Sequence, residues 1–380
     1  MISRIKGCKY IMPILLTVVA VLLLASCSDE VLGDGGTESA VGTGGYVTGN
    51  TAVSGNEPTA TTDQLEILLP DGTETEDGDT HSIPEIVTLP ETATAQTVPD
   101  LVIGDDPDEL YADAANTLRV DFLKTGKSDA IILRMDDKVV LVDTGDSDDY
   151  GKISGYLDSY GITTVDMMII THFDNDHVGS ASKLVKNYAV KTVYTPDYIR
   201  DSSRYRALMS AVDEAGGATK LLKISEDVEL DMGYGSIWLN TTQLYPTGQT
   251  LGSDEANEFS EENNYSLIVT VTFGKTRLLI TGDAERERME EFNAALTQKG
   301  ASLDYTLVKM PHHGAYTKGI DATLRAVTPR YCVICTDSGT GVEASTVTLM
   351  RSVGAAAYYT YNGDIYFVTD GTSSVLTAKG

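Results

Sequence analysis

The sequence has few of the residues that stabilise disulfide-rich proteins or bind nucleic acid. Four cysteines in 380 residues are too few for a disulfide scaffold. Residues 28–118 contain 20 Asp or Glu and no Lys or Arg, whereas residues 119–380 carry a net charge of −11. Because affinity for long polyanions depends on clustered Lys and Arg, this composition argues against a general nucleic-acid-binding protein.

A long apolar run occurs at the N-terminus, where Ile11–Ala25 follows a basic segment, Arg4 to Lys9. The run is too short to span a bilayer comfortably as a stable helix and is typical of a signal peptide. It ends in Leu-Ala-Ser before Cys27, which resembles the bacterial lipobox, where cleavage precedes a cysteine that is then acylated. We therefore predict a lipoprotein signal peptide over residues 1–26 and lipidation at Cys27, with an uncleaved anchor helix as the alternative. Either arrangement makes the protein extracytoplasmic, and lipidation would anchor it to the bacterial cell membrane.

Residues 27–110 are rich in Gly, Thr, Ser, Asp and Glu and contain no basic residue. Such a segment has too little apolar surface to form a core, so we predict a disordered acidic linker that tethers the domain. About 80 residues of this kind have a root-mean-square span of roughly 50 Å, enough to hold a domain away from a membrane. The folded domain is predicted over residues 111–380.

Short apolar runs alternate with amphipathic stretches in this domain. The predicted helices bury one face, because their apolar residues recur at helical spacing. Strands that alternate with helices predict an α/β fold with helices packed on sheets. The predicted buried strands are Val139–Val142, Met167–Ile170, Leu278–Ile280, Leu307–Met310 and Tyr331–Ile334, and the predicted helices contain Ile153 to Tyr160, Ala181 to Tyr188 and Met289 to Leu296.

Two segments, Ile131–Asp146 and Ile268–Asp283, align at a constant offset of 137 residues. Each consists of a strand, a tight turn, a second strand and a Thr-Gly-Asp sequence. Two similar halves that face each other across a shared site would give this pattern. The repeat supports a domain of two halves, although two generic hairpins can also align in this way by chance.

The strongest chemical signal is the segment Thr171–Gly179, THFDNDHVG, which follows a predicted buried strand. His172, Asp174, Asp176 and His177 place two imidazoles and two carboxylates within six residues. Nitrogen and oxygen donors at this density are electrostatically costly without a cation and are what a divalent metal requires. The segment therefore predicts a metal site.

Two weaker motifs also follow predicted strands. Asp283 ends a Thr-Gly-Asp turn, and His312 and His313 follow the strand predicted at Leu307–Met310. Alone, an Asp after a strand commonly caps the next helix, and a His-His pair is as typical of a turn as of a metal site. Their occurrence together with the first cluster, each at the carboxyl end of a strand, indicates one shared site.

Three further residues have simpler interpretations. Cys332 and Cys335 lie in a strand, where residues i and i+3 point to opposite faces, so we predict two small buried hydrophobic residues instead of a disulfide or zinc site. Lys309 precedes the His-His turn and is predicted to form a salt bridge at a strand end.

These motifs together resemble the metallo-β-lactamase fold hydrolases, and within them the branch typified by the C-terminal domain of the ComEC competence proteins. The resemblance covers residues 117–380 and implies a four-layer αββα sandwich with the metal site at one edge of the two sheets. The matching segments are Phe122–Leu133, Val142–Gly145, the HxDxDHxG cluster at 172–179, Asn264–Leu267, the HHG turn at 312–314 and Thr360–Gly371.

The resemblance also implies which residues bind metal. His172 and Asp174 would hold one ion, Asp176 and His177 would hold the other, and Asp283 would bridge both. Asp174 stands where the superfamily usually has histidine, and no histidine occurs between residues 178 and 282, where another ligand for the first ion normally lies. This oxygen-rich set moves the expected ion from Zn²⁺ towards Mn²⁺, with one or two ions bound, and argues against a β-lactamase.

The remaining roles follow from the same resemblance. One of His312 and His313 would complete the second metal position; we favour His313, which leaves His312 to contact a substrate oxygen. Asp143 would orient a ligand imidazole. Asp176 and His312 are the predicted catalytic residues.

The function that these features predict is an exported, lipid-anchored, metal-dependent hydrolase, in which a metal-activated water attacks the substrate. A phosphodiesterase or nuclease fits best, with single-stranded nucleic acid, a nucleotide or a cell-surface phosphodiester as substrate, and no protein partner is inferred. The alternatives are an enzyme of the same fold that acts on a non-phosphate ester, thioester or amide, and a non-catalytic surface binding protein. The intact motifs count against the last.

Overall fold

The computed structural model describes residues 116–135, 137–244, 247–251, 262–300 and 302–379. The predicted signal peptide, Cys27 and the acidic linker lie outside the described residues. The predicted domain boundaries therefore stay predictions.

The described residues form seventeen strands and seven α-helices. The strands are β1 (Leu118–Phe122), β2 (Ala130–Met135), β3 (Lys138–Thr144), β4 (Thr164–Ile169), β5 (Ala189–Pro196), β6 (Tyr198–Arg200), β7 (Lys220–Ile224), β8 (Val228–Asp231), β9 (Gly235–Asn240), β10 (Gln249–Leu251), β11 (Ile268–Phe273), β12 (Thr276–Ile280), β13 (Leu307–Lys309), β14 (Tyr331–Ile334), β15 (Ala356–Tyr359), β16 (Asp364–Thr369) and β17 (Ser374–Lys379). The helices are α1 (Tyr150–Ser159), α2 (Asn175–Val178), α3 (Ala181–Asn187), α4 (Ser203–Glu214), α5 (Arg286–Lys299), α6 (Lys318–Val327) and α7 (Ala344–Ser352).

Fifteen of these strands form two large mixed sheets. The first sheet has the order β17-β16-β1-β2-β3-β4-β5-β7, and the second has the order β15-β14-β13-β12-β11-β9-β8. In each sheet an antiparallel part is continued by parallel strands, β3 to β7 in the first and β12 to β15 in the second. Strands β6 and β10 form a separate parallel pair. Each parallel part requires helical crossovers, which supply the outer layers.

Three apolar clusters separate four layers. Between the two sheets, Leu133 of β2 packs in one cluster with Leu239 and Val271 of the second sheet. Ile132, the neighbour of Leu133 in β2, points the other way and packs with α1 to α4, as the alternation of side chains along a strand requires. The third cluster joins the second sheet to α5, α6 and α7. The layers are therefore helices, sheet, sheet and helices, which confirms the predicted αββα sandwich.

The internal repeat of the sequence corresponds to two antiparallel hairpins, one in each sheet. Strands β2 and β3 form the first hairpin, and β11 and β12 form the second. In each hairpin the second strand continues into a parallel neighbour, β4 beside β3 and β13 beside β12. The loops that carry the predicted metal ligands follow β4, β12 and β13 directly. The two halves thus supply ligands from corresponding positions.

The predictions for the helices and cysteines are confirmed. Helix α1 buries Ile153 and Leu157, and the other predicted helices correspond to α3 and α5. Cys332 and Cys335 are both free and buried. Their side chains point to opposite sides, because Cys332 of β14 packs under the helices and Cys335, directly after β14, packs between the sheets. Within the described residues, the structure has no helix with the length and apolar character needed to cross a membrane.

Gly179 ends the metal-site motif and allows a close approach of two backbone segments. A Cβ atom at this position would lie 2.4 Å from both the carbonyl carbon of Asp146 and the backbone nitrogen of Ser147. We expect Gly179→Ala to lower the free energy of unfolding by about 2–3 kcal/mol, because neither backbone atom can move freely. Gly155, in α1, has no neighbour within 4 Å of its Cβ position. Gly155→Ala is therefore a matched control and should stabilise by about 0.5–1 kcal/mol. Urea unfolding measures the free energy of unfolding of both variants. An equal change in Gly179→Ala and Gly155→Ala would contradict the packing argument.

Candidate metal centre

The candidate ligands lie on loops from both halves of the domain. His172 follows β4, and Asp176 and His177 lie in the short helix α2 behind it. Asp283 follows β12 of the second sheet, and His313 lies in the turn after β13. Because the strands before these loops belong to two facing sheets, residues more than a hundred positions apart are brought into contact.

Four of these side chains converge on one point, with Asp283 at the centre. His177 Nε2 lies 3.2 Å from Asp283 Oδ1, and His313 Nε2 lies 3.2 Å from Asp283 Oδ2. Asp176 Oδ2 lies 3.1 Å from His313 Nε2. The ligand atoms of all four residues lie within 4.8 Å of one another. Asp283 thus presents one carboxylate oxygen to each of the two histidines of this group.

His172 and Asp174 form a second, adjacent pair. His172 Nε2 lies 3.6 Å from Asp174 Oδ2, and the His172 ring centroid lies 4.1 Å from that of His177. Among the described residues, the structure therefore divides the predicted ligands into a group of four and a neighbouring group of two. The group of four contains the residues predicted for the second metal position, Asp176, His177 and His313, together with Asp283, which is predicted to bridge both ions.

The donor atoms fit a divalent cation. His172 Nε2, His177 Nε2 and Asp283 Oδ1 are buried and make no hydrogen bond within the described residues. Leaving a buried polar atom unpaired costs about 1–3 kcal/mol, so several such atoms in one place require a partner. Imidazole nitrogens and carboxylate oxygens are the ligands that Zn²⁺ and Mn²⁺ accept.

Asp143 holds His177 in place, as the sequence predicts. Its Oδ2 lies 2.8 Å from His177 Nδ1, which directs His177 Nε2 towards Asp283. The backbone nitrogen and the hydroxyl of Thr171 donate to the two oxygens of Asp143 at 2.8 and 2.7 Å. On the other side of the site, His313 Nδ1 lies 3.0 Å from the carbonyl oxygen of Cys335. Both histidines are thus oriented from behind.

Asp129 and Lys309 are buried under the site. The sequence motifs described above assign no role to Asp129. Lys309 forms an ion pair with Asp129 and donates to the carbonyl oxygen of Gly282 at 2.9 Å. The same Nζ lies 3.6 Å from Asp283 Oδ1, and Asp129 Oδ1 lies 3.7 Å from His313 Nδ1. The predicted salt bridge of Lys309 is therefore present and supports the Asp283 loop. An isolated lysine in an apolar strand was the one sequence signal for this pair.

The backbone of the site is strained. Asp143, His312 and His313 have φ angles of 59°, 46° and 53°, in the left-handed region that residues other than glycine rarely adopt. Such strain costs about 1–3 kcal/mol per residue and concentrates at functional sites. His312 and His313 are adjacent, and this conformation points His313 into the site while His312 stays 34% exposed, with Nδ1 3.7 Å from Glu285 Oε1.

The carboxylates set the protonation of the histidines. Burial lowers the pKa of His313, but Asp283 and Asp176 outweigh this effect and raise it to about 9. Burial likewise opposes the charged form of His177, yet Asp283 and Asp143 raise its pKa well above the usual value. Burial raises the pKa of Asp283, but His313 and His177 hold it well below its usual range. Without metal, protons on the imidazoles therefore balance the buried carboxylates.

The comparisons with known proteins agree with this architecture. The family model described as the Metallo-beta-lactamase superfamily matches residues 123–338. Curated relatives include two ComEC-type competence proteins. ComE operon protein 3 of Bacillus subtilis is 22% identical over 244 residues, 59% of this chain and 29% of the relative. Recombination protein 2 of Haemophilus influenzae is 27% identical over 227 residues, 57% of this chain and 24% of the relative. The chain thus spans about a quarter of the length of these relatives.

Among solved structures, the chain is similar to YhfI of Bacillus subtilis, a metallo-beta-lactamase fold protein. It is 13% identical, with a TM-score of 0.43, and the match covers 64% of this chain and 96% of that one. Tm1679, described as a metal-dependent hydrolase of the beta-lactamase superfamily, is 14% identical with a TM-score of 0.42, and the match covers 69% of this chain and 100% of that one.

Metal affinity should rise with pH. His313 carries a proton below about pH 9 in the metal-free protein but binds a metal ion only as neutral imidazole, so protons compete with the ion. Between pH 6 and 8 we expect Mn²⁺ affinity to rise at least about tenfold per pH unit, with proton release. Titration calorimetry in buffers of different ionisation enthalpy measures both. His312→Gln is the control and should keep the same slope, because burial lowers the pKa of His312. Equal affinity at pH 6 and 8 would contradict the protonation argument.

Proposed function

Because this chain belongs to the metallo-β-lactamase superfamily, we propose that it is a metal-dependent hydrolase that cleaves phosphodiesters outside the cytoplasm. The observation that carries the proposal is the position of Asp283, whose two oxygens face His177 and His313 at 3.2 Å. A carboxylate shared in this way, with buried nitrogen atoms beside it that make no hydrogen bond, suits one or two divalent ions.

The proposed ions are Mn²⁺ or Zn²⁺. His172 and Asp174 would hold one ion and Asp176, His177 and His313 the other, with Asp283 between them. When bound, the ions supply positive charge and lower the pKa of a water molecule so that it can attack the substrate. The high share of carboxylate oxygen among these ligands favours Mn²⁺ over Zn²⁺.

The side chains of the protein itself contribute positioning and proton transfer. Asp176 and His312 are more exposed than Asp174, with 32% and 34% of their side chains accessible against 23%. Burial lowers the pKa of His312, so its imidazole is neutral at pH 7 and can donate a hydrogen bond to a substrate oxygen. The buried Lys309 and Asp129 keep Asp283 in place behind the ligands.

A phosphodiester is the proposed substrate class. The ligands of the site would hold positive charge next to the exposed imidazole of His312, which can donate a hydrogen bond to a phosphate oxygen. One curated relative is named Recombination protein 2, which favours nucleic acid among the phosphodiesters. The net charge of −11 over residues 119–380 disfavours long duplex DNA, so we propose a single strand, a nucleotide or a cell-surface phosphodiester.

Hydrolysis of bis-p-nitrophenyl phosphate tests the proposed reaction. The wild-type protein loaded with Mn²⁺ or Zn²⁺ should turn over this substrate, and chelation should abolish the reaction. Asp176→Ala should lower kcat at least about 100-fold, because it removes both a ligand and the partner of His313. The control is Asp213→Ala, which removes an exposed carboxylate of α4 and should leave turnover unchanged.

The other outcomes of this assay discriminate the alternatives. Tight metal binding without hydrolysis of the phosphodiester would overturn the proposed substrate class in favour of an ester, thioester or amide. Absence of metal binding would overturn the proposed enzyme altogether and favour a surface binding protein.

We further propose that a lipid on Cys27 anchors the protein to the membrane, which rests on the sequence Leu-Ala-Ser-Cys at residues 24–27. In a bacterial host, the full chain should partition into the detergent phase and incorporate labelled palmitate. Cys27→Ser should lose the label and be released from the membrane after processing. A Cys27→Ser protein that stays in the membrane without label would favour the uncleaved anchor helix.

A further inference from the structure

A buried carboxylate that the sequence analysis did not single out lies beside the first proposed metal position. Glu262 precedes β11 and is fully buried. The hydroxyl of Tyr198 donates to Glu262 Oε1 at 2.8 Å, and Arg200 Nε lies 2.9 Å from Oε2. Tyr198 also accepts a hydrogen bond from the backbone nitrogen of Phe173, within the metal-site motif, at 2.9 Å. The carboxylate is thus fixed against the loop that carries His172 and Asp174.

Glu262 is a near neighbour of Asp174, and interactions with His172 and Glu262 lower the pKa of the Asp174 carboxyl group against the effect of its burial. Two ionised carboxylates at this distance repel each other, so a proton or a cation must lie between them.

His172 provides an independent indication of a cation at this place. Its Nε2 atom is completely buried, makes no hydrogen bond within the described residues and lies 3.6 Å from Asp174 Oδ2. A divalent ion satisfies all three groups together, because imidazole nitrogen and carboxylate oxygen are both suitable ligands.

We propose that Glu262 is a metal ligand that completes the first metal position together with His172 and Asp174. It takes the place of the histidine that is absent between residues 178 and 282. This inference rests on the proposed metal centre and specifies its first position as one nitrogen and two separate carboxylates, with Asp283 beside them. Tyr198 and Arg200 hold Glu262 from behind, as outer partners hold metal-binding carboxylates in other proteins.

This assignment accounts for the charge of the pocket. Two carboxylates and a neutral imidazole match the charge of one divalent ion, and Arg200, which is paired with Glu262, offsets part of the remaining negative charge. An extra oxygen ligand in place of a nitrogen ligand also makes this position the harder of the two, which favours Mn²⁺.

Metal titration of the full chain provides the first test. Wild type should bind two equivalents of Mn²⁺, measured by calorimetry and by electron paramagnetic resonance of the free ion. Glu262→Gln keeps the size of the side chain and its contact with Tyr198. This variant should bind one equivalent of Mn²⁺ more than about 100-fold more weakly, while its affinity for the other equivalent changes less than about threefold. Asp174→Asn should lose the same equivalent.

The matched control is Asp121→Asn. Asp121 is also a fully buried carboxylate held by an arginine and a tyrosine, since Arg119 Nε lies 2.8 Å away and the Tyr156 hydroxyl donates to it. None of the residues that contact Asp121 belongs to the metal centre, so its substitution should leave both equivalents unchanged. Circular dichroism of every variant establishes that the loss is not unfolding.

Each outcome decides the assignment. Two unchanged equivalents in Glu262→Gln would overturn it and leave the proposed function intact. A loss of only about 10–100-fold would identify Glu262 as a positioning residue that acts through Asp174, and would also overturn it. Wild type that binds no metal would overturn both this inference and the proposed function.

A crystal structure of the wild-type protein with Mn²⁺ gives a second test that does not depend on any variant. Anomalous difference density should place an ion within about 2.5 Å of a Glu262 oxygen, His172 Nε2 and an Asp174 oxygen. An ion at the first position with both Glu262 oxygens beyond about 3.5 Å would overturn the assignment.

Discussion

The burial of the Asp283 carboxylate between the imidazoles of His177 and His313 is the interaction around which this domain is organised. A buried negative charge is costly unless positive charge compensates it, and here protons or metal ions must supply that charge. The Lys309 ammonium lies 3.6 Å from Asp283 but is committed to Asp129 behind it. The loops around Asp283 therefore leave an electrostatic requirement that a divalent cation meets.

The αββα sandwich supplies the stability that offsets the cost of burying this charge. Three apolar clusters fix the two sheets and their helices, so the loops at one edge can hold unfavourable groups without unfolding the domain. Left-handed backbone at Asp143, His312 and His313 is part of the same arrangement, because the rigid strands before these residues determine where each side chain points. The apolar clusters between the layers stabilise the domain, and the candidate metal ligands lie in the loops at one edge of the two sheets.

The site differs from a nitrogen-rich zinc site in its balance of ligands. Carboxylates outnumber imidazoles around the proposed first ion if Glu262 joins Asp174, and Asp283 contributes to both positions. Harder ligands of this kind bind Mn²⁺ well and suit chemistry on phosphate oxygens. The net negative charge of the domain disfavours binding of long polyanions, because like charges repel. The proposed substrates are therefore those that present few phosphates at once.

The sequence by itself predicted alternating strands and helices and, through its resemblance to a known family, the four layers and most of the candidate ligands. Apolar periodicity located the strands before the loops, and the density of donors in Thr171–Gly179 required a cation whatever the fold. Asp129 and Glu262 had no such signal, because an isolated acid before a strand looks the same whether it faces solvent or a metal. Only the tertiary structure decided their places. The two facing sheets bring Asp129 to Lys309. Tyr198 of β6 contacts both Glu262 and the backbone of Phe173, and so places Glu262 beside the segment Thr171–Gly179. Local sequence encodes periodicity and donor density, whereas contacts between distant segments depend on how the sheets pack.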